Sequence, residues 1–150
     1  MPRTVYVDAG RLRYAQNISV GPHALQADEL TDSGGNDVGP NPYELLLAAL
    51  GACVSITVRM YAERKLWSLN EVHVVLSYTK LHAEDCVECD TKSAMMDQIE
   101  MGVSLIGDLS EDQQRRLIEI ANICPVHRTL TSRVQIHTTP LVANSPPQRI

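Results

Sequence analysis

The chain has 150 residues, a formal net charge of -5, 44% hydrophobic and 21% charged residues, four cysteines and no phenylalanine. That charge excludes a protein built to neutralise nucleic-acid phosphates, and the composition suits one globular domain with a core of Leu, Ile, Val, Ala and Met. "MPRTVYVDAG" is not followed by the apolar stretch of a signal peptide, and the longest apolar run, Leu45 to Val58, is short for a bilayer and contains Gly51, Cys53, Ser55 and Thr57. We therefore expect a cytoplasmic protein with no nucleic-acid or membrane partner. In that reducing setting, cysteines serve chemistry, metal binding or packing rather than a disulfide scaffold.

"TVYVDAGRLRYAQNISV" alternates as one or two strands, Gly21-Pro22 marks a turn, and "HALQADEL" is a third strand. The loop "TDSGGNDVGPNP" is rich in Gly, Asp and Asn, and its glycines permit close backbone approach. A helix is expected from Pro42 to about Lys65, with Asn41 as N-cap, Pro42 at the first position and Glu44 completing a capping box. Its first half, "LLLAALGACVSITV", is apolar nearly all round and so needs burial on every side. A chain this short supplies little cover, which points to a dimer.

"SLNEVHVVLSYTKLH" predicts a strand with Val72, Val74, Leu76 and Tyr78 on one face, and "DQIEMGVSLIGDL" its return after a polar excursion. Ser110 and Gln113 form a second capping-box pattern ahead of the amphipathic "EDQQRRLIEIANI". Pro125 ends that helix or starts a short one through "VHRTLTS", and "RVQIHTT" is a final strand. The order β-β-β-α-β-β-α-α-β is an α+β plan, with one domain over residues 1–139 and a C-terminal tail, flexible by its composition, over 140–150.

Cys124 has two readings. As the N-cap of a helix begun by Pro125, its sulfur faces unsatisfied N–H groups, with His127 and Arg128 in the next turn, and all of these favour a reactive thiolate. The alternative is a buried cysteine beside a helix break. Cys53 sits mid-helix, where apolar packing makes a thiol inert, although Gly51 and Ala52 thin the helix there.

Taken together, "NPYELLLAALGACVSITVRMYA" and "CPVHRTL" resemble the two cysteine segments of the OsmC/Ohr family, the osmotically inducible protein C and organic hydroperoxide resistance proteins. The likeness extends from Arg11 to Thr138 and is nearer the broader OsmC-like branch. It implies an OsmC-like α+β fold: an intertwined homodimer whose long buried central helices are wrapped by antiparallel sheets. It also implies a cysteine-based peroxidase without metal or flavin, in which Cys53 attacks a hydroperoxide and becomes a sulfenic acid. Cys124 then resolves it as a disulfide, and an external dithiol restores both.

In the family's pattern, an arginine from the N-terminal strands assists the first thiol and is held by a glutamate just after the Asn-Pro pair. Here that glutamate's position holds Tyr43, and Glu44 lies one residue on, a rotation of about 100°. The arginine's expected position falls near Leu12, between Arg11 and Arg13, which would share a face if they lay on a strand; Arg13 is preferred. Glu44 is then either a cap or the arginine's partner. His127 is either a proton donor to Cys124 or a solvent-facing residue. An apolar site would favour bulky organic peroxides. The competing expectation is a non-catalytic dimer of the same fold that binds a small ligand or senses redox state. "HAEDCVECD" offers His82, Asp85, Cys86 and Cys89 for zinc, for a second dithiol or for partner docking, although its acidity opposes thiolates and an exposed hairpin tip explains it as well.

Overall fold

The N-terminal alternation of apolar and polar residues folds as a meander. In the computed structural model, which describes residues 3–9, 11–82 and 95–141, β1 (Val5–Ala9), β2 (Gln16–Val20) and β3 (His23–Ala27) form an antiparallel sheet in that order. The third strand is shorter than "HALQADEL" suggests, because Asp28 turns inward. Its side chain is 2% exposed and accepts hydrogen bonds from the backbone N–H groups of Glu29 (2.8 Å), Asn36 (2.9 Å) and Val38 (3.4 Å). One carboxylate thus ties the whole glycine-rich loop together. A Cβ at Gly35 would overlap the carbonyl of Glu29 and one at Gly39 that of Gln26, so the expected close backbone approach is of the loop to its own start and to the end of β3.

Burial pushes the Asp28 pKa up, but the three N–H donors outweigh it and hold the carboxyl below its ordinary value. A lowered folded-state pKa stabilises the protein fully above the unfolded value and loses that contribution as pH falls through the folded one. Asp28→Asn should therefore melt lower than the parent by a constant margin above about pH 5, and the gap should close below it. Thermal melts across an acid series check this.

Helix α1 (Pro42–Arg64) starts as its sequence predicts: Glu44 N–H donates to Asn41 Oδ1 (2.9 Å), and Asn41 N–H donates to Glu44 Oε2 (2.7 Å). Its far end is a Schellman turn in which Trp67 N–H reaches the Ala62 carbonyl (2.9 Å) and Leu66 N–H reaches that of Glu63 (3.0 Å). Leu66 occupies the left-handed position with φ 56°, where glycine is usual, and is 91% exposed. Leu66→Gly removes a strained side chain that packs on nothing, so it should stabilise the chain by about 1 kcal/mol in denaturant unfolding.

β4 (Ser68–His82) pairs antiparallel with β5 (Met95–Asp108), and Val72, Val74, Leu76 and Tyr78 turn one face inward as the alternation predicts. Asn70 is the extra residue of a bulge, and Arg59 of α1 donates to the Asn70 carbonyl there (2.9 Å). α1 lies against β4, close enough that a Cβ at Gly51 would come 2.8 Å from Leu76 Cδ1. α2 (Glu111–Ala121), capped by Ser110 and Gln113, and the short α3 (Pro125–Leu130) pack against α1. The core therefore forms where one stripe of α1 (Leu50, Val54, Val58, Ala62) meets Leu69 of the sheet and Leu117, Ile120, Ala121 and Cys124.

As expected of a chain too short to cover it, α1 keeps a bare face: Ile56 and Met60 are 59% and 56% exposed, because β4, α2 and α3 all pack on the opposite stripe. One expectation needs correction. The segment 133–139 is not a strand but exposed coil, since a strand needs a sheet edge to pair with and none takes it here. α1 is long and apolar enough to cross a membrane by length and composition, yet its capping box and its packing on β4, α2 and α3 are those of a core helix. Cys86, Cys89 and Asp85 lie outside the described residues, as does nearly all of the proposed C-terminal tail.

Candidate active site

The end of α2 brings the two cysteine segments together. Asn122 closes that helix, and the chain turns so that Cys124 becomes the N-cap of α3 with Pro125 at its first position. Cys124 is fully buried against α1 and α2, whereas Cys53, on the flank of α1's buried stripe, is only half-buried. Both thiols are free, and Cys53 packs against the buried cluster that holds Cys124. α3 supplies a backbone donor to each sulfur: His127 N–H to Cys124 Sγ (3.3 Å) and Val126 N–H to Cys53 Sγ (3.5 Å). The tie between α3 and Cys53 comes from a backbone group, which no residue motif encodes.

Burial pushes the Cys124 thiol up, and the neighbouring Cys53 adds to this; the N–H groups of His127 and Val126 pull it down without offsetting the rise. Both readings of Cys124 thus meet in one residue, an N-cap that is also buried, and a sulfur sealed in an apolar core gains less from a short helix end than it loses with water. His127 serves Cys124 through its main chain. Its side chain lines a cavity of about 400 Å³ together with Leu50, Asp97, Ile99, Met101 and Leu130.

The remaining sequence candidates lie elsewhere. Glu44 is engaged in the α1 capping box. Arg11 and Arg13 lie in the bend between β1 and β2 rather than on a strand, so the expected shared face does not exist. Arg13 rests over the ring of Tyr14 (4.9 Å) and against Gly34. Among the described residues, no hydrogen bond or ion pair joins either arginine to the cysteines.

A polar group near the cavity was not anticipated. Tyr78 donates to Asp97 Oδ1 (2.6 Å) and stacks on Tyr43, with ring centroids 4.4 Å apart. The Asp97 hydrogen bond, with burial and Tyr43, pushes the Tyr78 phenol up, so the proton stays on tyrosine. The sequence does carry a trace of this. Asp97 is the one charged position in the alternate series Asp97, Ile99, Met101, Val103, Leu105.

The family model described as OsmC-like protein matches residues 34–139, a span that contains Cys53 and Cys124, the cavity residues and helices α1, α2 and α3. The chain belongs to the OsmC-like family. Solved structures of similar fold include the OsmC-like protein of Mycoplasma pneumoniae, with a TM-score of 0.68 and 17% identity over 87% of each chain. Another is an organic hydroperoxide resistance protein OsmC from Legionella pneumophila, with a TM-score of 0.64 and 17% identity over 87% of this chain and 90% of that one. The organic hydroperoxide resistance protein OhrB of Bacillus subtilis follows at 0.60 and 16%, over 87% and 91%. No curated protein matches the chain. At these identities the likeness is one of fold, so the chemistry of this OsmC-like chain has to be argued from its own residues.

Proposed function

We propose that the protein reduces organic hydroperoxides with the Cys53–Cys124 pair and so defends the cell against oxidative stress. The juxtaposition of these two thiols around the start of α3 carries the reading. The Cys53 thiolate attacks the terminal oxygen of ROOH, the O–O bond breaks, and the alkoxide leaves as ROH after taking a proton. Cys53 is then a sulfenic acid. Cys124 attacks its sulfur, loses its own proton and expels the hydroxyl as water, leaving a disulfide. A small dithiol or dithiol protein returns both to thiols by exchange.

The asymmetry between the two sulfurs supports this order of events. Burial keeps Cys124 a thiol, and a sealed sulfur suits resolution of a neighbour better than capture of a substrate. The chemistry needs neither metal nor flavin, and a cytosol that keeps thiols reduced suits it. The name of the Legionella and Bacillus structures agrees with the substrate class.

The functional unit we propose is a homodimer. Ile56 and Met60 on α1, Val5 and Val7 on β1, and Val134 and Ile136 beyond α3 are all more than half exposed, and a second copy would give these apolar side chains cover. A second copy would also offer its N-terminal segment, with Arg13 or Arg11, to the cysteine pair, which no arginine or lysine side chain joins by a hydrogen bond or ion pair among the described residues of one chain.

The test is a peptide mass map of reduced protein treated with one equivalent of an organic hydroperoxide, with remaining thiols alkylated. A Cys53–Cys124 cross-link with Cys86 and Cys89 still alkylated supports the reading. If Cys53 and Cys124 remain alkylated, it fails. One observation favours a second reading, a non-catalytic redox sensor or ligand binder: neither arginine reaches the cysteines, and Glu44 is engaged in a cap. A single oxidation event without multiple turnovers would select it.

A further inference from the structure

The start of α3 is held by sulfur. The first N–H groups of a helix have no partners within it and must find them elsewhere. In α3 the first residue, Pro125, has no N–H. The second, Val126, donates to Cys53 Sγ (3.5 Å), and the third, His127, donates to Cys124 Sγ (3.3 Å). The fourth, Arg128, already reaches the Cys124 carbonyl (3.0 Å). Every N–H of this first turn therefore ends on one of the two cysteines. The start of α2 differs, because the side chains of Ser110 and Gln113 cap it and thiol chemistry touches neither.

α3 has few other ties. It has six residues, none of them buried, and is far shorter than a helix that persists by itself in water. The Thr129 and Thr131 hydroxyls donate to the carbonyls of Pro125 (3.0 Å) and His127 (3.0 Å), within α3 itself. Outside itself it packs on α1, with Val126 against the cluster that holds Cys124.

We infer that a Cys53–Cys124 disulfide uncaps α3, which makes this helix a redox-linked element: ordered while both thiols are free, loosened once they are joined. The inference rests on the pairing in the peroxidase reading and adds what that pairing does to the fold. Bonded sulfurs lie about 2.05 Å apart with a dihedral near about 90°, so the two must swing towards each other and away from the N–H groups that face them. Losing an N-cap lowers the population of a helix end about fivefold. A loosened α3 uncovers the Cys124 sulfur, fully buried while the thiols are free, at the stage when an external dithiol has to reach the pair.

Amide hydrogen exchange, followed residue by residue by NMR on the full-length protein, tests this. The disulfide is made separately with an organic hydroperoxide and with diamide, a diazene that takes two electrons and two protons from two thiols and becomes a hydrazine. Peptide mass mapping identifies the joined pair. In cross-linked protein the Val126 and His127 amides should exchange about fivefold faster than in reduced protein, and Gln113 at the start of α2 should stay within about twofold. Cys124→Ala, which has no capping atom, should show the fast His127 exchange without any oxidant. Cys124→Ser, whose hydroxyl oxygen can accept from His127 N–H, should restore the slow exchange.

Unchanged or slower exchange at Val126 and His127 after cross-linking would overturn the inference, and so would an equal acceleration at Gln113. Slow His127 exchange in Cys124→Ala, or failure of both oxidants to join the pair, would do the same. The two levels of argument separate by oxidant. If diamide joins the pair and loosens α3 while the hydroperoxide leaves both thiols free, the peroxidase reading fails and the inference stands. If the hydroperoxide joins the pair and α3 stays protected, the inference fails and the peroxidase reading stands.

Discussion

Cys53→Ser is expected to lower hydroperoxide turnover to the background of uncatalysed reaction. The attacking species must be a thiolate, and a serine hydroxyl at the same point of α1 is scarcely ionised near neutral pH. The exchange is small in volume and leaves the Val126 N–H an acceptor, so the loss should come without unfolding. Cys124→Ser should behave differently. It should not cycle: a first equivalent of peroxide forms the Cys53 sulfenic acid, Cys124 is not there to condense with it, and a second equivalent drives it to sulfinic acid. Mass spectrometry of the intact variants distinguishes the two, and sustained turnover by Cys53→Ser would end the assignment of that residue.

The largest effect on stability should come from Leu117→Ala. Leu117 is fully buried where α2 meets α1, in the cluster that also holds Val54, Val58 and Cys124. Removing three carbons from a site enclosed by two helices leaves a cavity that can close only by moving α2, at a cost of about 3 kcal/mol. That is a large share of the about 5–15 kcal/mol typical of a whole domain. Urea unfolding should show the midpoint falling with little change in slope. The residue after α2's C-cap leads directly into Cys124, so this variant should also alkylate Cys124 faster than the parent does at temperatures where both remain folded.

Local signals carried much of this fold. Asn41, Pro42 and Glu44 mark the start of α1, Ser110 and Gln113 mark that of α2, and Cys124 with Pro125 marks that of α3, because capping chemistry is settled within four residues. The β4 face was equally legible from alternation. Failures came where distant parts decide. The segment 133–139 alternates like a strand, but pairing is a property of a neighbour that its own residues do not contain. Cys124 had the local trappings of an acidic thiol, yet its burial in one cluster with Val54 and Val58, remote in sequence, set the direction of its pKa. At the site, the cysteine pair followed from motif and resemblance. The Val126 N–H and the Tyr78–Asp97 bond did not, since one is main chain and the other depends on strand register.

In the proposed homodimer, the bare stripe of α1 would tie folding to mass action. With a second copy as its cover, burying Ile56 and Met60 becomes a bimolecular event, and the free energy of the native state acquires a term in protein concentration. Dilution then acts as a mild denaturant: the melting temperature should rise with each tenfold increase in protein. Assays run at nanomolar enzyme would report on a different population from spectra recorded at high concentration. In a cell, the abundance of this protein would itself set how much of it is folded.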